Sequence, residues 1–301
     1  MAVRYAVANG NWSNTATWDG GTLPTSADDV YSNNFTVTID GTFTVLTIRN
    51  TTNVSPAVTA GGGFTFANGG DLTCTASNGV INRDTASVYC LTFDLASGNS
   101  ATLRASVSTA GAVTNGKSIL VQNTGTFNMV GNYDIQNVNA NFRHTIFVNA
   151  STTINIVGNI TNSHSTANLS AITLNVNAGN PTITITGNVS GGLNNSLTAP
   201  AISTAAGTIN ITGNITTNTS QSISLGGGTL NVTGNTTGGN AFPAISNITS
   251  AATIDLLGIT TSGSGSFAVS GLATTFVKIR GNVVHTDTYA AIYAGRVVID
   301  N

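Results

Sequence analysis

Glutamate is absent from this 301-residue chain, and charge of either sign is scarce: nine Lys and Arg stand against eleven acids, all Asp, for a net charge of -2. Charged residues usually make up about a quarter of a globular domain, whereas here they are 7%. Helix-rich folds, whose exposed faces need Glu, Lys, Arg and Gln, are excluded on that ground. A basic excess is missing too, and with it the footprint that phosphate backbones and anionic membranes require, so neither nucleic acid nor membrane insertion is expected. No apolar run approaches the roughly 20 residues of a bilayer span, and the opening Met1 to Gly10 has no apolar segment of signal-peptide length. The expectation is synthesis and folding in a cytoplasm without a signal peptide. Cysteine is limited to Cys74 and Cys90, with no CxxC spacing and no nearby His. Buried free thiols are the expectation, with a disulfide as the alternative and no metal site.

In place of charge the chain carries 50 Thr, 38 Asn and 34 Gly. These residues disfavour helix interiors and suit strands and turns. Apolar residues make up 40% of the chain, enough for a real core, and a mean hydropathy of +0.18 with so small a net charge excludes intrinsic disorder.

A short phrase recurs along the chain: apolar, any residue, apolar, Thr or Val, then Gly-Asn and a β-branched residue. It is clearest at Ile154-Asn155-Ile156-Val157-Gly158-Asn159-Ile160, Ile183-Thr184-Ile185-Thr186-Gly187-Asn188-Val189 and Ile209-Asn210-Ile211-Thr212-Gly213-Asn214-Ile215. The glycines fall at 131, 158, 187, 213, 234, 258 and 281, at intervals of 27, 29, 26, 21, 24 and 23 residues. Shorter apolar runs such as Ala171-Ile172-Thr173-Leu174 and Ile223-Ser224-Leu225 lie between the phrases. Each unit reads as an alternating strand, a Gly-Asn corner, a short strand, a variable polar loop and another short strand. The fold class expected is all-β: a right-handed parallel β-helix, or β-solenoid, of about eleven irregular rungs of 21–29 residues, capped at the N-terminus. An antiparallel sandwich would not repeat one phrase in every unit. The corner positions are Gly131, Asn132, Gly158, Asn159, Gly187, Asn188, Gly213, Asn214, Gly234, Asn235, Gly281 and Asn282, residue types that tolerate the left-handed conformation of a sharp turn. At roughly 4.8 Å per rung the rod would be about 50 Å long. The chain divides into residues 1–40 as a cap or anchor, 41–127 as irregular rungs and 128–301 as regular rungs.

From His144 to Thr253 there is no Asp, Glu, Lys or Arg. Stacked rungs set equivalent residues about 5 Å apart, so a charge at a repeated position would face its like, whereas Thr and Asn can form hydrogen-bonded ladders. The same gap bears on chemistry, because glycoside hydrolysis needs a pair of carboxylates. Any such pair must come from Asp71, Asp84, Asp94 and Asp134, or from Asp255, Asp287 and Asp300, and their spacing favours no pairing. His144, His164 and His285 have no ligand spacing, and Gly61-Gly62-Gly63 and Gly226-Gly227-Gly228 lack the lysine of a phosphate loop. No catalytic residue, cofactor or metal is expected. Thr-x-Thr runs such as Thr182 to Thr186 suggest an ice-binding threonine ladder, but a unit length that varies from 21 to 29 argues against regular ladders on one face.

Both tryptophans, Trp12 and Trp18, lie in the opening segment with the pair Asp28-Asp29. A first rung exposes strand edges and an open core, and two large aromatics suit a cap over it or a docking site. The pattern Trp12-Ser13, Ala16-Thr17-Trp18, Gly20-Gly21, Pro24, Asp28-Asp29-Val30 and Val37-Thr38-Ile39 resembles the glycine-containing opening segment found before β-helical regions in extracellular and phage-encoded virion proteins. The whole chain is similar to phage tail-fibre, tailspike and appendage proteins. The resemblance implies a non-enzymatic structural or adhesive fibre-like virion component, located on the virion or outside the cell. It implies other virion subunits, further copies of the chain as a trimer or end-to-end stack, and a host surface glycan as partners. Loops from Asn162 to Asn168 and Gly191 to Thr198 would make receptor contacts. The alternatives are a self-assembling extracellular filament or adhesin, and a polysaccharide-degrading tailspike, from whose pattern the carboxylate-free body departs.

Overall fold

Alternation of β-branched and aliphatic residues with Thr and Asn requires strands with one buried face, and short corners between such strands force the chain to coil rather than fold back. The computed structural model describes residues 2–50, 62–81, 89–111, 117–138, 143–164, 171–192, 200–217, 219–247, 249–263, 265–284 and 290–300. Over these residues the chain is a β-solenoid in which every strand pair is parallel. A single antiparallel bridge, Ala6 to Trp18, lies outside the strands. Two short 3-10 turns, Thr15–Thr17 and Asp19–Gly21, are the helical elements among the described residues, and no helix there is long and apolar enough to cross a membrane.

Three faces run along the rod. The first is a twelve-stranded sheet that begins with Gly10–Asn11 and Thr36–Ile39 and ends with Ile292–Tyr293. The second has eleven strands, from Thr42–Val45 to Arg296–Ile299. The third is split into a four-stranded sheet, ending at Val80–Ile81, and an eight-stranded sheet that starts at Val107–Gly111. Asn78 bridges the split: its Nδ2 donates to the Ser108 carbonyl (2.8 Å) and its Oδ1 accepts from the Ser108 N–H (3.0 Å). The repeat thus extends upstream of residue 128, and the strands at 2–5, 10–11, 28–31 and 36–39 already belong to these sheets.

Register stacks like on like. On the second sheet Phe127, Ile154, Ile183, Ile209, Leu230 and Ile254 form one inward column, and Met129, Ile156, Ile185, Ile211, Val232 and Leu256 the next. All are buried. Each such side chain contributes about 1.5–3 kcal/mol of transfer free energy, and the columns leave the interior no polar gap on this side. Upstream the core is aromatic: Phe66 stacks on Phe93 (4.5 Å) and Phe93 meets Phe127 edge-on (4.3 Å). Cys74 and Cys90 are buried and unbonded to one another. Burial pushes the Cys74 thiol up to about 12 and raises Cys90 as well.

At Gly131, Gly158, Gly187 and Gly213 the Gly-Asn dipeptide is the whole corner, since the second-sheet strand ends one residue before it and the third-face strand starts one residue after it, as at Thr153–Val157 and Ile160–Asn162; at Gly234 and Gly281 one more residue, Thr233 or Arg280, joins the corner. Here glycine is required for two reasons. Gly131, Gly158, Gly187 and Gly213 have φ between 147° and 157°, and a Cβ on Gly158 would lie 1.9 Å from the carbonyl oxygen of Gly131. Each corner glycine in turn packs on the carbonyl of the corner one rung before, up to Gly281 on Gly258. Replacing Gly158 by Ala therefore adds a backbone clash to conformational strain, whereas Gly98, with φ 84° and open space around it, adds strain alone. Strain of this kind costs about 1–3 kcal/mol. Urea denaturation should find Gly158→Ala more destabilised than Gly98→Ala, and equal losses would refute the close stack.

Candidate functional site

The asparagines that follow the corner glycines form a continuous hydrogen-bond ladder. The N–H of Asn159 donates to Oδ1 of Asn132 (2.9 Å), that of Asn188 to Asn159 (2.8 Å), that of Asn214 to Asn188 (2.9 Å) and that of Asn235 to Asn214 (2.8 Å). Ser106 Oγ serves the Asn132 N–H at the upstream end (3.1 Å), and Ile259, the residue after Gly258, donates to Asn235 (3.0 Å) and ends the ladder. None of these corner asparagines has a positive φ, contrary to the left-handed backbone expected of them; Asn suits the position because its side-chain oxygen reaches an N–H in the next rung. The sequence pattern located these residues, but not which atom bonds to which rung. Gly281 and Asn282 repeat the corner downstream, where the Asn282 carbonyl accepts from the Thr260 N–H (2.8 Å).

At the upstream end Trp12 and Trp18 are buried, so neither presents a docking surface. They meet edge-on at 4.9 Å, the Trp18 indole N–H donates to the Trp12 carbonyl (2.8 Å), and Trp12 stacks on Phe43 (5.3 Å). Trp12 thus lies against the first residue of an inward column of the second sheet. Asp28 accepts from the N–H and hydroxyl of Thr25 (2.7 and 2.9 Å). Asp29 is held by the Thr47 hydroxyl (2.5 Å) and Arg49 (3.0 Å). Both residues are buried, Asp28 engaged within the opening segment and Asp29 by the next strand of the third face, Thr47–Arg49.

The remaining carboxylates are dispersed. Asp71 pairs with Arg104 (3.2 Å) on the second sheet, while Asp94 closes a first-sheet strand and accepts from Gln122 (3.0 Å) and Asn123 (3.3 Å). Asp134 lies on the third face and accepts from the Ser163 N–H (2.9 Å) and Gln136 (3.2 Å). Downstream, Asp255 pairs with Arg280, and Asp300 with Lys278 (2.7 Å), whose ammonium lowers the Asp300 carboxyl. Asp84, Asp287 and His285 lie outside the described residues, as does the side chain of His144, while His164 is buried. Among the described residues no three His, Cys, Asp or Glu side chains could together hold a metal ion.

Unit length varies most at one corner, between the third face and the first sheet. Its linking spans are 163–170, 191–201, 217–222 and 238–244, whereas the links from first to second sheet are three residues each at 123–125, 150–152, 179–181 and 205–207 and run from two to five residues further downstream, at 226–227, 248–251, 271–275 and 294–295. The proposed receptor loops, Asn162 to Asn168 and Gly191 to Thr198, fall in this variable corner, and their residues 165–168 and 193–198 lie outside the described ones. Beside them Thr161, Asn162, Ser163, Ser190, Gly191 and Thr217 line an uncharged cavity of about 410 Å³.

Two outcomes follow from these contacts. Asn188→Ala removes the acceptor for the Asn214 N–H, an exchange worth about 1 kcal/mol, and the urea midpoint should fall accordingly while far-ultraviolet circular dichroism is unchanged. For Asp134, desolvation is the largest effect and raises the carboxyl above its ordinary 3.8, against the hydrogen bonds from Ser163 and Gln136, which lower it. The folded chain then holds this proton more tightly than the unfolded chain, so the group makes stability fall as pH rises through the window above 3.8. Asp134→Asn should remove that part of the pH dependence; an unchanged profile would show the carboxyl to be unshifted.

The chain matches no protein-family model, and neither a curated protein nor a solved structure is significantly similar to it.

Proposed function

We propose that the chain is a non-enzymatic structural or adhesive rod, a fibre-like component of a phage virion. The observation that carries this reading is the ladder from Ser106 to Ile259, in which every corner bonds to the next through a backbone N–H and a side-chain oxygen. Such a rod holds its ends at a set separation and offers variable loops along one edge, which is what a spacer that also contacts a host surface needs. Asp71, Asp94 and Asp134 sit on three different faces, which supports this reading over a polysaccharide-degrading tailspike, whose paired carboxylates must flank one bond.

A filament subunit is the second reading. Val283, Val284, Tyr293, Val297 and Ile299 are exposed on the last described rungs, where a further stacked rung would cover them. Electron microscopy separates the two. On the first reading the purified chain gives discrete rods about 55 Å long, from eleven or twelve strands per face, and antibody labels a fixed position on phage particles. Filaments from the purified chain would favour the second reading. Release of oligosaccharide from host surface glycan, lost in Asp71→Asn, Asp94→Asn or Asp134→Asn, would overturn both.

A further inference from the structure

The outward residues of the second sheet form a grid that unit length conceals. Thr126, Thr153, Thr182, Thr208, Thr229 and Thr253 occupy one column in unbroken register. Two residues along each strand lies the column Asn128, Asn155, Thr184, Asn210 and Asn231, and two further on come Val130, Val157, Thr186 and Thr212. The longest and most variable spans, which argued against a regular ladder, leave from the opposite corner of the coil, and the strand register on this face stays unbroken across them. Neighbouring rows are about 4.8 Å apart and neighbouring columns about 6.6–6.8 Å, and the six rows span about 24 Å.

Three properties of the grid bear on what it can hold. Thr and Val are branched at Cβ and stiff at χ1, which fixes hydroxyls and methyls in place. The central amides are tied to each other, Asn155 Nδ2 to Asn128 Oδ1 (3.0 Å) and Asn231 Nδ2 to Asn210 Oδ1 (2.8 Å). On the second sheet, formal charge is absent from the five strands between those of Arg104 and Asp255, and both of those residues are ion-paired, with Asp71 and Arg280. A charged group would orient water around itself and break any lattice at the surface. Hydrogen-bonded oxygens about 2.75 Å apart in tetrahedral arrangement have second neighbours about 4.5 Å apart. Hydroxyls repeating at about 4.8 Å can therefore substitute for one row of such oxygens, with an offset of about 0.3 Å per rung.

We propose that this face binds an ordered water lattice, that is, the surface of an ice crystal. The threonine hydroxyls take lattice positions, while the Thr methyls and the exposed Val130 and Val157 fill the spaces between them. The property stands independently of whether the rod belongs to a virion.

The test is thermal hysteresis and inhibition of ice recrystallisation by the full chain, with folding of every variant checked by circular dichroism. Faceted ice crystals and inhibited recrystallisation are expected for the wild type. Thr182→Lys with Thr208→Lys should lower the activity by about tenfold or more, and Thr182→Val, which keeps the shape and loses the hydroxyl, should give a smaller loss. Thr216→Lys, at an exposed threonine of the third face, should leave it intact. No ice activity in the wild type, or equal loss in Thr216→Lys, would overturn the proposal. So would retention on crystalline cellulose that depends on Thr182 without any effect on ice.

Discussion

Parallel stacking in register sets every side chain about 4.8 Å from its equivalents in the rungs above and below, and the rest of the molecule follows from what can stand next to a copy of itself at that distance. Aliphatic residues can, and the inward columns of Ile, Leu and Val are the result. A corner glycine can, because the carbonyl of the previous corner occupies the space where a side chain would begin. Asparagine can, because its carbonyl oxygen meets a backbone N–H in the next rung. A charge stands beside its opposite or beside neutral donors: Asp255 faces Lys278 in register and pairs with Arg280, Lys278 pairs with Asp300, and Asp94 faces Gln122, which donates to it.

The constraint acts unevenly around the coil. The Gly-Asn corner is short and held by its ladder, the corner from first to second sheet stays within two to five residues from 123 onward, and the third takes up most of the differences in unit length. Insertions at a surface loop cost little because loop-closure entropy grows slowly with length, so sequence can vary there without moving the strands on either side. The upstream rungs follow the same rule with larger side chains. Trp12, Phe43, Phe64, Phe66, Phe93 and Phe127 fill a core that Ile and Val fill downstream. The Gly-Asn phrase fades before residue 128, although strands on all three faces continue.

Much of the fold was legible in the chain because a stacked repeat writes the same local requirement at each rung. The alternation around Ile183 and Ile209, the corners at Gly187 and Gly213 and the stretch without charge all pointed to a parallel solenoid. The split of the third face between Ile81 and Val107 left no sequence signal, since it depends on how Asn78 reaches Ser108 across the interruption. The tryptophans were recognisable as a cap or a dock. Only their burial against Phe43 separates these, because an aromatic suits either setting until its neighbours are known. The threonine grid was misjudged from spacing, because distance along the chain counts loop residues that do not separate the strands in space.

By itself the sequence determined the class of fold, the place of the corners and the exclusion of charge from the rungs between His144 and Thr253, since each is a local demand repeated until it becomes a pattern. The tertiary structure alone decided which residues share a face: the scattering of Asp71, Asp94 and Asp134, the internal engagement of Asp28 and Asp29, and the alignment of six threonines in one column. Those relations depend on register between rungs more than twenty residues apart, and register is set by the packing of the whole stack rather than by any segment within it.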